Sequence, residues 1–168
     1  WLANEVDVMR RLYAAGAIVP KPLAHNDNAV LMEYLGDATR AASPLEGVAL
    51  PQVEAERLFV LIVDNIKLML ENDIVHGDLS AFNILYWAGE QAAGTARIID
   101  FPQAINPYKN PSAYKIFSRD VARVCDYFAQ YGIAANASAL AHRLWREVMQ
   151  SEPSDLRDLQ SGRQGKFA

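Results

Sequence analysis

A single cysteine, Cys125, leaves this chain without any internal disulfide, which fits a reducing, cytoplasmic setting. No apolar run reaches the roughly 18 residues of a membrane-spanning helix. No basic stretch followed by an apolar one reads as a signal peptide, so neither membrane nor secretion is expected. Positive charge is also scarce: 16 Lys and Arg stand against 20 Asp and Glu, a net −4, which gives no direct nucleic-acid signal. Zinc-type Cys/His spacing and internal repeats are both missing. What remains is an ordinary globular composition, 51% hydrophobic and 21% charged, in 168 residues; that is enough for one core and short for two domains. The chain opens on Trp1-Leu2 without a methionine, which reads as a fragment.

The informative stretch is Val75-His76-Gly77-Asp78-Leu79-Ser80-Ala81-Phe82-Asn83-Ile84-Leu85, answered downstream by Ile98-Ile99-Asp100-Phe101. Phosphoryl transfer from ATP needs one carboxylate to orient the attacking oxygen and an oxygen-ligand pair to hold a metal against the phosphates. Asp78 suits the first task, and Asn83 with Asp100 the second. Ile84–Trp87 and 96–99 are short segments rich in branched and aromatic residues, joined by a turn-like stretch at 88–95. A hairpin of that kind brings Asn83 and Asp100 to one end. The D-x-x-x-x-N spacing followed by Asp-Phe matches the catalytic half of a protein-kinase-like site.

The rest of the chain reads as scaffold for that set. Leu2, Val6, Met9 and Tyr13 at helical spacing predict a helix that stops at Gly16. Residues 18–23 are extended because Pro20 and Pro22 forbid helix. Residues 26–28 (Asn-Asp-Asn) form a tight turn, and residues 29–34 a strand. Residues 36–50 are expected to be a loop. From Pro51, a stripe of Ala55, Leu58, Phe59, Ile62, Ile66, Met69 and Leu70 predicts a core helix to about Asn72. His76 is expected to fix the following loop by hydrogen bonding in preference to acting as a base. Ser80 reads as a cap or a γ-phosphate contact, and Leu85 as a core residue or the underside of an adenine site. Pro102 rules out an Asp-Phe-Gly backbone after Asp100. Ser118 is expected to cap a helix bearing Val121, Val124, Cys125 and Phe128 and ending near Gly132, with Cys125 a buried thiol. A last helix carries Leu140, Leu144, Trp145 and Val148, and 151–168 is a polar tail.

His76-Gly77-Asp78-Leu79-Ser80-x-Phe82-Asn83 together with Ile99-Asp100-Phe101-Pro102-Gln103 closely resembles the RIO family of atypical protein kinases. Val19-Pro20-Lys21-Pro22, residues 31–36 (Leu-Met-Glu-Tyr-Leu-Gly) and Ser118-Arg119-Asp120-Val121 follow the same family in the right order. The resemblance implies an α+β, protein-kinase-like fold without an activation loop or peptide-docking helices. Residues 1–35 would be the remnant of the N-terminal lobe, 36–150 the C-terminal lobe and 151–168 a flexible tail. It implies a serine/threonine kinase or ATPase using ATP with Mg²⁺ or Mn²⁺ and acting on a protein or on itself. A ribosome-related partner is implied by the family alone.

Carried over by position, Asp78 would be catalytic. Asn83 and Asp100 would hold metal, with Asp100 also a transient phosphate acceptor. The backbone of Glu33 and Leu35 would bond the adenine edge beside Met32, with Ser80, Leu85 and Ile99 as further nucleotide contacts; a plain strand and loop is the alternative for 32–35. Glu5 would pair with a phosphate-binding lysine, or be a solvated helix charge. Gly77 stands where many protein kinases carry an arginine that reads activation-loop phosphorylation, so switching by that route is not expected. The glycine-rich loop and strand lysine of the family are missing from these 168 residues, so this stretch alone is expected to be inactive or nearly so. Two rivals stand beside this reading: a small-molecule kinase of the aminoglycoside or choline type, which shares the motifs but usually needs a helical substrate-binding insertion before the catalytic helix where only residues 36–50 are present, and a non-catalytic ATP-binding module.

Overall fold

Helix periodicity and proline placement set most element boundaries in the computed structural model, which describes residues 2–89 and 94–150. In chain order these are α1 (Leu2–Ala14), β1 (Pro22–His25), β2 (Val30–Met32), β3 (Ser43–Pro44), α2 (Gln52–Glu71), β4 (Ile84–Trp87), β5 (Thr95–Ile98), α3 (Ala113–Ala129) and α4 (Ala137–Met149). Short 3-10 turns at Leu45–Gly47 and Ala81–Asn83 precede α2 and β4. The expected tail at 151–168 and the middle of the expected turn, 90–93, lie outside the described residues.

Pro51 is the N-cap of α2 and Asn72 its C-cap, as the apolar stripe requires. The stripe buries Ala55, Leu58, Ile62, Ile66, Met69 and Leu70, and α3 and α4 close over it with Phe117, Val121, Phe128 and Leu144. Cys125 is buried there as a free thiol, with burial raising its pKa. The one buried amide of α2, Asn65, is fully used: its Nδ2 donates to the Leu61 carbonyl and its Oδ1 accepts from the Ile18 amide, both at 2.8 Å. Ile18 in turn accepts from the Ile98 amide at 2.7 Å, so the segment after α1 is stitched to both α2 and β5.

β1 and β2 form a two-stranded antiparallel sheet. Its turn forms as expected, with Asn26 Oδ1 accepting from the amides of Asn28 and Ala29 at 2.9 Å. The second sheet has the order β3-β4-β5. Its β4-β5 hairpin pairs Ile84 with Ile98 and Trp87 with Thr95, one residue short of the expected end at Ile99.

Three expectations fail. The strand expected at 29–34 covers only Val30–Met32. Residues 36–50 are not all loop, because Ser43 and Pro44 pair with Tyr86 and Leu85 as an edge strand. Asp37 Oδ1 accepts from the Thr39 and Arg40 amides and folds 36–41 back on itself, which aims the next residues along β4. Ser118 also does not begin a helix: α3 starts at Ala113, after Ser112. Pro111 and the Asn110 side chain, which accepts from the Ser112 amide at 2.9 Å, form the true start, and Ala113 and Phe117 extend the buried face upstream. No helix among the described residues is long and apolar enough to cross a membrane.

Candidate active site

The loop from Val75 to Asn83 is held from three sides. Val75 and Ile105 exchange both backbone hydrogen bonds at 2.9 Å. His76, only 2% exposed, lies against the Phe101 ring with centroids 4.7 Å apart. Its Nδ1 accepts from the Asp78 amide at 3.3 Å, so Nε2 carries the hydrogen and donates to the Ile99 carbonyl at 3.0 Å. Burial, only partly opposed by that hydrogen bond, holds its pKa below the ordinary imidazole range, which keeps the ring neutral. With both nitrogens occupied, His76 ties the Asp78 loop to the strand that leads into Asp100.

Gly77 does more than stand in for an arginine. Its φ is +86°, and a Cβ would lie 2.2 Å from the Gln103 carbonyl oxygen. Its amide donates to Asp120 Oδ2 at 2.8 Å, and its carbonyl accepts from Arg119. Asp120 is 3% exposed, and its Oδ1 has no hydrogen-bond partner; Arg119 Nη2 stands 3.6 Å away. Burial pushes the Asp120 carboxyl up to about 6, although the Gly77 bond pulls the other way. The unfolded chain releases this proton near 3.8 and the folded chain near 6, so the group costs stability as pH rises through that window. Asp120→Asn keeps an acceptor for Gly77 and removes this loss. Urea unfolding at pH 4 and pH 7 should show the variant gaining roughly 2–3 kcal/mol on the wild type between the two. A pH-independent difference would contradict it.

Beyond Gly77 the loop opens onto a cleft of about 630 Å³, lined by Asp78, Ser80, Phe82 and Asn83 with Glu46, Arg123 and Asp126. Asn83 Nδ2 donates to the Asp78 carbonyl at 2.9 Å and lies 3.4 Å from Asp78 Oδ2. Asp78 Oδ1 accepts from Arg123 Nη1 at 2.6 Å. Tyr127 fixes the far wall by donating to the Leu45 carbonyl at 2.8 Å. The hairpin brings the second aspartate alongside: the Ile99 amide donates to the Asn83 carbonyl at 3.0 Å, and the next residue, Asp100, turns out with φ +71°. Such a φ is rare outside glycine and costs of order 1–3 kcal/mol. The exposed Asp100 carboxylate has no ion pair or hydrogen bond among the described residues, and the Asn83 oxygen is equally uncommitted.

Asp100 stands beside the cleft and is not among the residues lining it, and neither are the remaining expected site residues. Met32 and Glu33 are at the exposed end of β2. The Glu33 side chain accepts from the Lys21 amide at 3.2 Å and pairs with Arg97 at 3.5 Å. Its carbonyl and the Leu35 amide have no partner among the described residues, while the Leu35 carbonyl accepts from Ala42 at 2.8 Å. Leu85 and Ile99 are half-buried on the hairpin. Glu5 is half-buried on α1 with no ion pair among the described residues. In the sequence Asp120 stands out only within Ser118-Arg119-Asp120-Val121, and nothing marks Arg123. A carboxylate at 120, inside the apolar stripe 117-121-124-128, is the signal that was available for the first. Arg123 follows one helical turn later.

No cluster of three or more Asp, Glu, His or Cys side chains among the described residues could hold a metal alone. Asn83 and Asp100 offer hard oxygen donors of the kind that would suit Mg²⁺, which takes few protein ligands.

A family model described as the RIO domain matches residues 1–140. The chain is 32% identical over 143 residues to the serine/threonine-protein kinase RIO1 of Chaetomium thermophilum, covering 79% of this chain and 26% of that protein. It is 29% identical over 133 residues to the RIO-type serine/threonine-protein kinase Rio1 of Thermoplasma acidophilum, covering 79% of this chain and 66% of that protein. The chain thus spans from about a quarter to two thirds of the length of these relatives. Among solved structures, the Rio2 kinase of Chaetomium thermophilum in an ADP/Mg²⁺-phosphoaspartate complex superposes with a TM-score of 0.68 at 24% identity, over 94% of this chain and 51% of that one. An α+β kinase-like fold and a family match over 140 residues lead to one conclusion: the chain belongs to the RIO family.

Proposed function

We propose that this chain supplies the catalytic part of a RIO-type serine/threonine phosphotransferase that moves the γ-phosphate of ATP to a protein hydroxyl, its own included. The observation that carries the reading is the joining of Asp78 to Asn83 at 2.9 Å on one cleft wall, with Asp100 one residue past the Ile99–Asn83 backbone bond. Asp78 orients the attacking hydroxyl and receives its proton as the new O–P bond forms and the bond to the ADP oxygen breaks. Asn83 and Asp100 hold Mg²⁺ or Mn²⁺; when bound, the ion offsets charge on the phosphate oxygens. The uncommitted Glu33 carbonyl and Leu35 amide meet the adenine edge. Met32, Leu85 and Ile99 enclose the ring, and Ser80 faces the γ-phosphate. Glu5 receives a lysine that lies outside these residues, and the 168-residue stretch alone turns over ATP poorly or not at all.

The relative crystallised with ADP, Mg²⁺ and phosphoaspartate supports a second outcome for the same site, in which Asp100 takes the phosphate and water releases it. Titration of the complete gene product with ATP, with and without Mg²⁺, tests the metal assignment. Asn83→Ala and Asp100→Asn should each weaken Mg²⁺-dependent ATP binding about tenfold or more and leave metal-free binding unchanged. Equal affinity in the presence of Mg²⁺ would refute it.

A further inference from the structure

The catalytic loop contains no cation of its own. No Lys or Arg occurs from Asp78 to Ala96, and the next, Arg97, is paired with Glu33. Among the described residues lining the cleft, three carboxylates, Asp78, Glu46 and Asp126, face one guanidinium, Arg123. A phosphoryl group entering such a cleft meets a negative wall, while its transition state spreads negative charge over three oxygens. Arg123 comes from α3, remote in sequence, and reaches Asp78 Oδ1 at 2.6 Å.

Stability does not account for this pair. Both side chains are well exposed, 41% and 48%, and ion pairs of that kind contribute little to folding. One Nη1–H is committed to Asp78, and the fork has other N–H donors with no partner among the described residues, on a side chain that lines the cleft beside the same carboxylate. We propose that Arg123 is a further catalytic residue, the cation that contacts the phosphoryl group in flight while it holds Asp78 in place. The inference rests on the phosphotransfer reading above. As the acceptor oxygen bonds to phosphorus and its proton passes to Asp78, the guanidinium hydrogen-bonds equatorial phosphoryl oxygens, and ADP departs with the former bridging oxygen.

The test uses the complete gene product and two probes, Mg·ATP turnover and binding of ADP with or without aluminium fluoride, a mimic of the transferring phosphoryl. Arg123→Ala should lower kcat about 10²-fold with KM for ATP little changed. It should bind ADP within about twofold of the wild type and lose about 10²-fold in affinity for ADP–aluminium fluoride. Arg123→Lys should recover part of both losses. Wild-type kcat in Arg123→Ala, or equal loss for ADP with and without the fluoride, would overturn the proposal. So would unfolding of both variants, since the pair would then be structural. A wild-type protein that neither turns over ATP nor binds ADP would instead overturn the phosphotransfer reading on which the proposal rests.

Discussion

Asp78→Asn is expected to lower phosphoryl transfer by roughly 10²–10⁴-fold, the range over which a positioned proton acceptor contributes. The effect should fall on kcat, because the side chain bonds Arg123 and Asn83 and none of the groups proposed to meet the adenine. Asparagine retains an oxygen for Arg123, so ATP affinity and the thermal midpoint should stay close to wild type. Steady-state turnover beside a direct nucleotide titration separates the two. A variant that loses ATP binding along with turnover would show that Asp78 holds the fold or the nucleotide instead of the acceptor.

Gly77→Ala is expected to be as damaging by another route. Alanine at φ +86° is strained, and its Cβ would lie 2.2 Å from the Gln103 carbonyl oxygen, a backbone atom that cannot swing aside. The loop must move, and in moving it breaks the Gly77–Asp120 bond and leaves a buried carboxylate with less compensation. A loss of about 3–5 kcal/mol in urea unfolding is expected, with activity falling even at temperatures where the variant remains folded. Asp120→Ala should reproduce part of this loss, because it removes the same bond from the other side. A Gly77→Ala protein with wild-type stability would mean that the left-handed turn is not required.

Both predictions depend on a loop whose motif is legible in the sequence and whose supports are only partly so. The Asp78–Asn83 spacing, the β4-β5 hairpin and the span of α2 follow from local rules: a motif, a pair of β-rich runs, a proline and a 3.6-residue stripe. What escaped is non-local. β3 is two residues long and exists because Ser43 meets Tyr86, a pairing that nothing near Ser43 announces. The start of α3 is hard to read because Ser118 just ahead of Val121, Val124, Cys125 and Phe128 looks like a cap, while the Asn110 turn that begins the helix looks like more loop. The need for glycine at 77 comes from Gln103 and Asp120, both distant in sequence. Arg123 joins Asp78 across 45 residues, and only the packing of α3 under the loop brings them together.

The two rival readings fare differently. A small-molecule kinase with a helical substrate insertion before the catalytic helix finds little room here: between β2 and α2 lie one two-residue strand and one 3-10 turn. The match to the RIO domain over residues 1–140 points the same way. A nucleotide-binding module without chemistry is separated from the proposed enzyme by turnover alone.

The most direct measurement is to incubate the complete gene product with γ-labelled ATP and Mg²⁺, beside Asp78→Asn and Asp100→Asn. Released phosphate and protein-bound label are followed, and the label is tested with hydroxylamine. The account predicts that the wild type releases phosphate or acquires label and that both variants lose it, with a hydroxylamine-stable label marking transfer to serine and a labile one marking Asp100. Undiminished release or labelling in both variants would place the chemistry somewhere other than the Asp78–Asn83–Asp100 site.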